Sequence, residues 1–191
     1  MMADIIETHP WEPYVPDDAR VLIMGTFPPQ PKRWSMDFYY PNRTNDFWYM
    51  MGLIFFGDRL ALYNADSKVF DVDAIRALLD AKHIALHDTC HRIRRLKDNA
   101  SDKFLEVVEP VDLDSLLARM PRCKVVATTG EKAAGVVASL TSTAVPAMGE
   151  CVRSDTGLEL WRMPSTSRAF PMRLDKKAEY YRRLFSAAGI C

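Results

Sequence analysis

The sequence predicts an α/β fold, a three-layer α/β/α sandwich around a central parallel four-stranded sheet. Three observations predict it. Four short strand-like runs recur along the chain, the first of them apolar and rich in β-branched residues, which reads as a buried strand. Segments with helical spacing of apolar residues lie between them. Gly and Pro close the runs abruptly, as at Gly25, Pro28 and Pro29. Strands that alternate with helices imply a parallel sheet covered on both faces.

The elements follow in order. Residues 1–19 form an extended lead-in with Pro10, Pro13 and Pro16 and two aromatics, Trp11 and Tyr14. The first strand runs from Arg20 to Thr26. It must stop there, because Pro28 and Pro29 have no N–H to continue a ladder. A long loop follows to Thr44. Loops of this length inside compact domains are often functional, and this one carries Lys32, Arg33, Trp34 and Phe38-Tyr39-Tyr40-Pro41. A helix opens at Asn45, a good capping residue, and runs through an apolar stretch to Phe56 before Gly57. A second helix is capped by Asp71 and runs to Leu79. The second strand is His83 to Asp88.

A basic and polar segment follows, from His91 to Asp102, with Arg92, Arg94, Arg95 and Lys97. Asp112 to Arg119 is a short helix, Cys123 to Thr128 the third strand, and Glu131 to Leu140 a helix of small residues. Residues 141–157 are the least regular stretch and read as a surface loop or hairpin. Leu158 to Met163 is the last strand, closed by Pro164-Ser165-Thr166-Ser167-Arg168. The final helix runs from Leu174 to Ala188, before Gly189.

A length of 191 residues suits one domain with a sizeable core, and 48% hydrophobic with 26% charged residues is ordinary for a soluble protein. No apolar run approaches the roughly 20 residues that span a bilayer. The N-terminus has acidic residues and prolines where a signal peptide needs basic and then apolar ones. A net charge of zero argues against nonspecific coating of nucleic acid and leaves room for a local basic patch. Cys90, Cys123, Cys151 and Cys191 are far apart without zinc-type pairing. Reduced thiols in a cytoplasmic protein without a metal are expected. His83, His87 and His91 would share a face only on a helix, and the strand reading breaks that series.

In an open parallel sheet, ligands bind outside the carboxyl ends of the strands. Four segments would meet at that rim: Gly25–Pro29, the Phe38–Asn45 loop, the Arg92–Asp102 segment and Pro164–Arg168. Exposed aromatics stack on bases, while Arg, Lys, hydroxyls and free amides meet phosphates. A nucleotide or nucleic acid is the ligand this chemistry suits. The alternative is that Tyr39 and Tyr40 cover core and that the arginines form a solvated face.

Three blocks then resemble a known family. They are Gly25-Thr26-Phe27-Pro28-Pro29, Phe38-Tyr39-Tyr40-Pro41-Asn42-Arg43-Thr44-Asn45-Asp46-Phe47-Trp48, and Met163-Pro164-Ser165-Thr166-Ser167. Together they resemble the uracil-DNA glycosylase superfamily, and within it most of all the hypoxanthine-DNA glycosylase and mismatch-specific branch. The resemblance runs from about His9 to the final helix. It implies a monomeric, monofunctional DNA N-glycosylase of base-excision repair that needs no cofactor. Such an enzyme takes a deaminated base, uracil or hypoxanthine, out of the stack and hydrolyses its N-glycosidic bond.

The resemblance also implies roles. Tyr40 would stack on the flipped base. Gly25, Thr26 and Phe27 would contact the base and orient water through their backbone. Asn45 would be the catalytic residue. Pro164, Ser165, Thr166 and Ser167 would pinch the DNA backbone. Arg168 is a further candidate for a phosphate contact, as is Arg92. Two positions depart from much of the superfamily: Phe27 stands where many members carry Asp or Asn, and Met163 where many carry His. That leaves the chemistry to Asn45, backbone amides and a carboxylate from Asp88 or Asp102. The rival reading is a non-catalytic nucleic-acid or nucleotide-binding module on the same fold. A third is a binder of small nucleosides or bases.

Overall fold

A computed structural model describes residues 5–97 and 101–191. Residues 1–4 of the lead-in and residues 98–100 of the basic segment lie outside the described residues. The strands are β1 (Ile6–Thr8), β2 (Val21–Gly25), β3 (Tyr63–Asn64), β4 (Val69–Phe70), β5 (Ile84–Asp88), β6 (Cys90–Arg95), β7 (Leu105–Pro110), β8 (Val125–Thr129), β9 (Cys151–Arg153) and β10 (Glu159–Met163). The helices are α1 (Phe47–Phe56), α2 (Val72–Lys82), α3 (Leu113–Ala118), α4 (Glu131–Thr141) and α5 (Leu174–Ala187).

The central sheet has the order β5-β2-β8-β10-β9. Its first four strands are parallel and coincide with the four strand-like runs. The expectation of a purely parallel, four-stranded sheet needs correction, because β9 adds an antiparallel edge to β10. β9 lies in the stretch that reads as least regular. Its three residues are too short to show a period, and the hairpin is closed by Gly157, whose N–H donates to Ser154 O at 2.9 Å and whose φ is +83°.

Every residue of β2, β5 and β8 is buried, as in a parallel sheet covered on both faces. Alternate side chains of β2 divide between two cores. Val21 and Ile23 pack with residues of α1, α2 and α5, while Leu22 and Met24 pack with α3 and α4. α1 buries Phe47 through Gly52 without interruption, which its nearly all-apolar sequence requires. It ends at Gly57 with φ +71°, a left-handed C-cap that favours glycine.

The basic segment is a second correction. Arg92, Arg94 and Arg95 lie on β6, which pairs antiparallel with both β1 and β7 in a separate three-stranded sheet. Cross-strand carboxylates offset the charges: Arg94 meets Glu106 at 2.7 Å and Arg95 meets Glu7 at 2.8 Å. Register shifts at Arg92 break the simple alternation that would have marked β6 as a strand. The lead-in is also more than an arm. Beyond β1, Tyr14 and Leu86 exchange two backbone hydrogen bonds of 2.9 Å, which closes the outer edge of β5.

Between arm and sheet sits His87, 5% exposed. The Glu12 carbonyl can only accept, so the Tyr39 hydroxyl donates to it at 2.9 Å. His87 Nδ1–H then donates to the Tyr39 oxygen at 2.7 Å. Burial, reinforced by His9, pushes the His87 imidazole down from 6.5 to about 4. The unfolded chain therefore binds a proton below 6.5 that the native protein refuses until 4, and stability falls through that window as pH drops. The expected loss through this group is about 3 kcal/mol. Urea unfolding across the window measures it: a His87→Phe variant should lose stability less steeply than the wild type, and parallel losses would contradict the assignment. Among the described residues no helix is long and apolar enough to cross a membrane.

Candidate active site

The carboxyl ends of β2, β5, β8 and β10 open onto one cavity of about 770 Å³. Gly25 and Asp88 are register partners at the ends of β2 and β5, and Thr129 ends β8 beside them. Gly25 O accepts Thr89 N–H at 2.9 Å, and Thr26 O accepts Cys90 N–H at 3.2 Å. These bonds hold the first block against the chain leaving β5. Thr26 turns its hydroxyl to Asp102 Oδ2 at 2.7 Å.

The second block is fixed by its own polar groups. Asn42 Oδ1 accepts both the N–H and the hydroxyl of Thr44, at 3.0 and 2.9 Å, an Asx turn. Pro41 O accepts Ser35 N–H and hydroxyl at 2.9 and 2.7 Å, and Tyr39 O accepts the Trp48 indole N–H at 2.8 Å. Tyr40 is held at φ +53°, in left-handed backbone that a bulky residue rarely adopts. That turn lays its ring on Phe47, with centroids 3.8 Å apart and planes 15° from parallel. It brings its hydroxyl to 3.3 Å from Thr129 Oγ1. Burial and then Asp88 raise the phenol well above its ordinary pKa, so it stays a neutral donor.

Asn45 lies one residue outside the cap position in which the sequence places it. The helix starts at Phe47, with Asp46 at the cap position. Its Oδ1 still accepts the N–H of Phe47, the first helical residue, at 2.9 Å, as a capping side chain does, an assignment that points the amide NH₂ away from the helix backbone. The start of the helix is also held from a distance. Asn45 forms an antiparallel bridge with Ser167, and Asp46 N–H donates to Thr166 O at 2.8 Å. The second and third blocks are thus stitched together.

Asp46 is the centre of that stitching. Its Oδ1 accepts Arg168 Nε at 3.0 Å and its Oδ2 accepts Lys177 Nζ at 2.9 Å. Lys177, on α5, is 0% exposed and also donates to Ser167 O at 2.8 Å. One turn further along the same helix, Tyr181 donates its hydroxyl to Pro164 O at 3.1 Å.

Gly25, Thr26, Phe27, Tyr40, Asn45, Ser165, Thr166, Ser167 and Arg168 all line the cavity. Pro164 is buried beneath the loop and is not part of the lining. Arg92 is not part of it either, and lies on β6 facing Glu109 at 3.6 Å. Arg168 is occupied by Asp46 and lies over the Tyr49 ring at 5.3 Å. Phe27 meets His9 edge-on at 5.5 Å, and Met163 is core, 1% exposed.

Sequence reasoning passed over several lining residues: Arg33, Lys103, Thr129, Gly130 and Lys132. Their signal was position, since Thr129, Gly130 and Lys132 lie at the end of β8 and the start of α4, on the predicted rim. It also gave no role to His9, whose Nε2–H donates to Asp88 Oδ2 at 2.9 Å. Asp102 is pushed above the ordinary carboxylate range, first by burial, against the Thr26 hydroxyl, which pulls it down. Cations at the rim and carboxylates at the base suit an anionic ligand whose reacting end reaches the floor. Among the described residues no cluster of three or more His, Cys, Asp or Glu is arranged to hold a metal ion.

No protein-family model matches the chain, and neither does any curated protein. A solved structure does. The solution NMR structure of a protein from Methanosarcina acetivorans, described as a "putative Uracil DNA glycosylase", superposes with a TM-score of 0.62. The two chains are 21% identical, over 94% of this chain and 99% of that one. At that identity the likeness is one of fold, and this chain shares that fold over nearly its whole length.

Proposed function

We propose that this chain is a single-domain, monofunctional DNA glycosylase of the uracil-DNA glycosylase superfamily, acting on a deaminated base in base-excision repair. The observation that carries the reading is convergence. The three blocks that resemble the superfamily, far apart in sequence, line one cavity of about 770 Å³, within the size range of sites for small ligands. The fold shared with the Methanosarcina acetivorans protein supports it at the level of the superfamily. The closer kinship, to the hypoxanthine-DNA glycosylase branch, rests on the aromatic-to-Asn45 block.

In this reading Tyr40 stacks on the flipped base. Asn45, whose Oδ1 is committed to Phe47 N–H, offers its NH₂ to the charge developing on the leaving base. A donor placed there stabilises the transition state more than the ground state. Ser165, Thr166 and Ser167, with Arg168, meet the DNA backbone. The rim cations Arg33 and Lys103 give that backbone further charge partners.

The test is strand cleavage by alkali after incubation with duplexes carrying one uracil or one hypoxanthine. Asn45→Ala should lower abasic-site formation by about 100-fold or more, as loss of one preorganised donor does. Asn45→Asp is the sharper variant, because it keeps an oxygen for Phe47 N–H while replacing the donor with an anionic acceptor. Its thermal midpoint should hold while its activity falls. Phe27 and Met163, apolar where many relatives are polar, favour the rival reading of a binding module. Retained DNA binding without product from the wild type would establish that rival.

A further inference from the structure

We infer that Asp88, oriented by His9, is the base that takes the proton from the attacking water, an inference that rests on the glycosylase reading. Phe27 cannot accept a proton, and Asn45 is an amide. A hydrolysis still needs an acceptor beside the water.

Asp88 is built for that position. It ends β5 beside Gly25 and is 5% exposed, yet it lines the cavity. Its two oxygens are differently engaged. Oδ2 accepts His9 Nε2–H at 2.9 Å. The other side of the imidazole is closed by the Trp11 backbone, 2.9 Å from the Nδ1 atom. His9 is further wedged against Phe27, Tyr39 and His87. A ring so enclosed cannot swing away, so it fixes the plane of the carboxylate.

Oδ1 faces the bare Cα of Gly25. A Cβ on that glycine would stand 2.7 Å from Asp88 Oδ1, 3.4 Å from Tyr40 Oη and 3.6 Å from Thr129 Oγ1. Three oxygens from three separate segments therefore crowd the Cα of Gly25, and all three residues line the cavity. A water in the cavity against this group of oxygens has the polar partners it needs. Tyr40, a neutral phenol, can donate to the water while Asp88 accepts from it. Asp102 is the less suited of the two carboxylates, since its carboxyl is pushed towards the neutral form and its Oδ2 is engaged by Thr26.

The step balances simply. The water oxygen bonds to C1′ of the deoxyribose as the C1′–N bond breaks, and that electron pair leaves with the base. The water proton passes to Asp88 Oδ1. The released base takes a proton from solvent, and Asp88 returns its own. Asp88 is then a catalytic residue and His9 a positioning residue.

The experiment is single-turnover excision from duplexes carrying hypoxanthine or uracil, as a function of pH, with DNA affinity and thermal midpoint measured on each variant. The titratable groups that face Asp88 are His9, His87, Tyr39, Tyr40, Cys90 and Asp102. Asp88→Asn should slow excision by about 100-fold or more and remove the acid-side fall of the rate profile, while DNA affinity stays. His9→Ala should move that fall, and His9→Gln, which keeps an N–H for Oδ2, should recover most of the rate.

If the wild type excises and Asp88→Asn stays within about threefold of it, the inference is overturned. A changed choice of base with the acid-side fall intact would also overturn it, since Asp88 would then be reading the base. If Asp88→Asn does not fold, the His9 pair decides: equal losses in Ala and Gln overturn the positioning. A wild type that excises neither base sinks the glycosylase reading itself, a different result from an active wild type indifferent to Asp88.

Discussion

Asp46→Asn is expected to destabilise the protein by about 3–5 kcal/mol, the cost of leaving a buried charge without its partner. Lys177 is 0% exposed, and Asp46 is the one carboxylate that pairs with it among the described residues. The neutral amide would leave the ammonium with only Ser167 O as a strong acceptor. Against a total stability of about 5–15 kcal/mol for ordinary domains, that is a large share. Lys177→Met should cost much less. It removes the buried charge and keeps the unbranched bulk, and Asp46 retains Arg168 at the half-exposed rim. The double variant should then be more stable than Asp46→Asn alone. Urea midpoints of the three variants decide it, and equal losses for Asp46→Asn and Lys177→Met would show that packing matters more than charge. The same network holds Ser167 and Arg168 to the start of α1, so Asp46→Asn should also weaken DNA binding.

On the glycosylase reading proposed above, Gly25→Ala is expected to reduce base excision by about 100-fold while leaving the protein folded, as loss of a general base would. Gly25 is strand backbone, so the constraint is space rather than conformation. The added methyl would approach Asp88 Oδ1 to 2.7 Å, closer than a carbon and an oxygen tolerate. Asp88 cannot simply yield, because His9 holds its other oxygen. Overpacking of this kind costs about 1–3 kcal/mol. Loss of chain entropy in the unfolded state returns about 0.4–1 kcal/mol of that. The net effect on the thermal midpoint should be small beside the effect on rate. Activity near that of the wild type would mean that the floor at Gly25 holds no reacting water.

The legible and illegible parts of this protein divide by the range of the interactions behind them. β2, β5 and β8 could be read because a strand buried on both faces is mostly apolar along its length, and that requirement is local. α2 was readable for the same reason, down to Asp71, whose Oδ1 accepts Ala74 N–H at 3.0 Å as a cap should. β6 and β7 were not. Leu105-Glu106-Val107-Val108-Glu109 has a strand-like composition, but its Arg-rich partner reads as solvated loop until Glu106 and Glu7 are set opposite it.

The candidate site shows the same division more sharply. Sequence by itself determined which turns end at the rim and which residue types stand there: a glycine, a tyrosine, an amide and a run of hydroxyls. It could not say that Asn45 and Asp46 would be tied to Ser167 and Thr166, on a distant segment. Nor could it pair His9 with Asp88 across 79 residues, or Lys177 with Asp46 across 131. Apolar burial and turn chemistry are properties of a short stretch, whereas a charge or a hydrogen-bonding group takes its meaning from the partner it faces. Only the folded chain chose those partners. It set Arg92 against a glutamate on β7, Arg168 against Asp46, and a histidine from the lead-in against Asp88, the carboxylate beside Gly25.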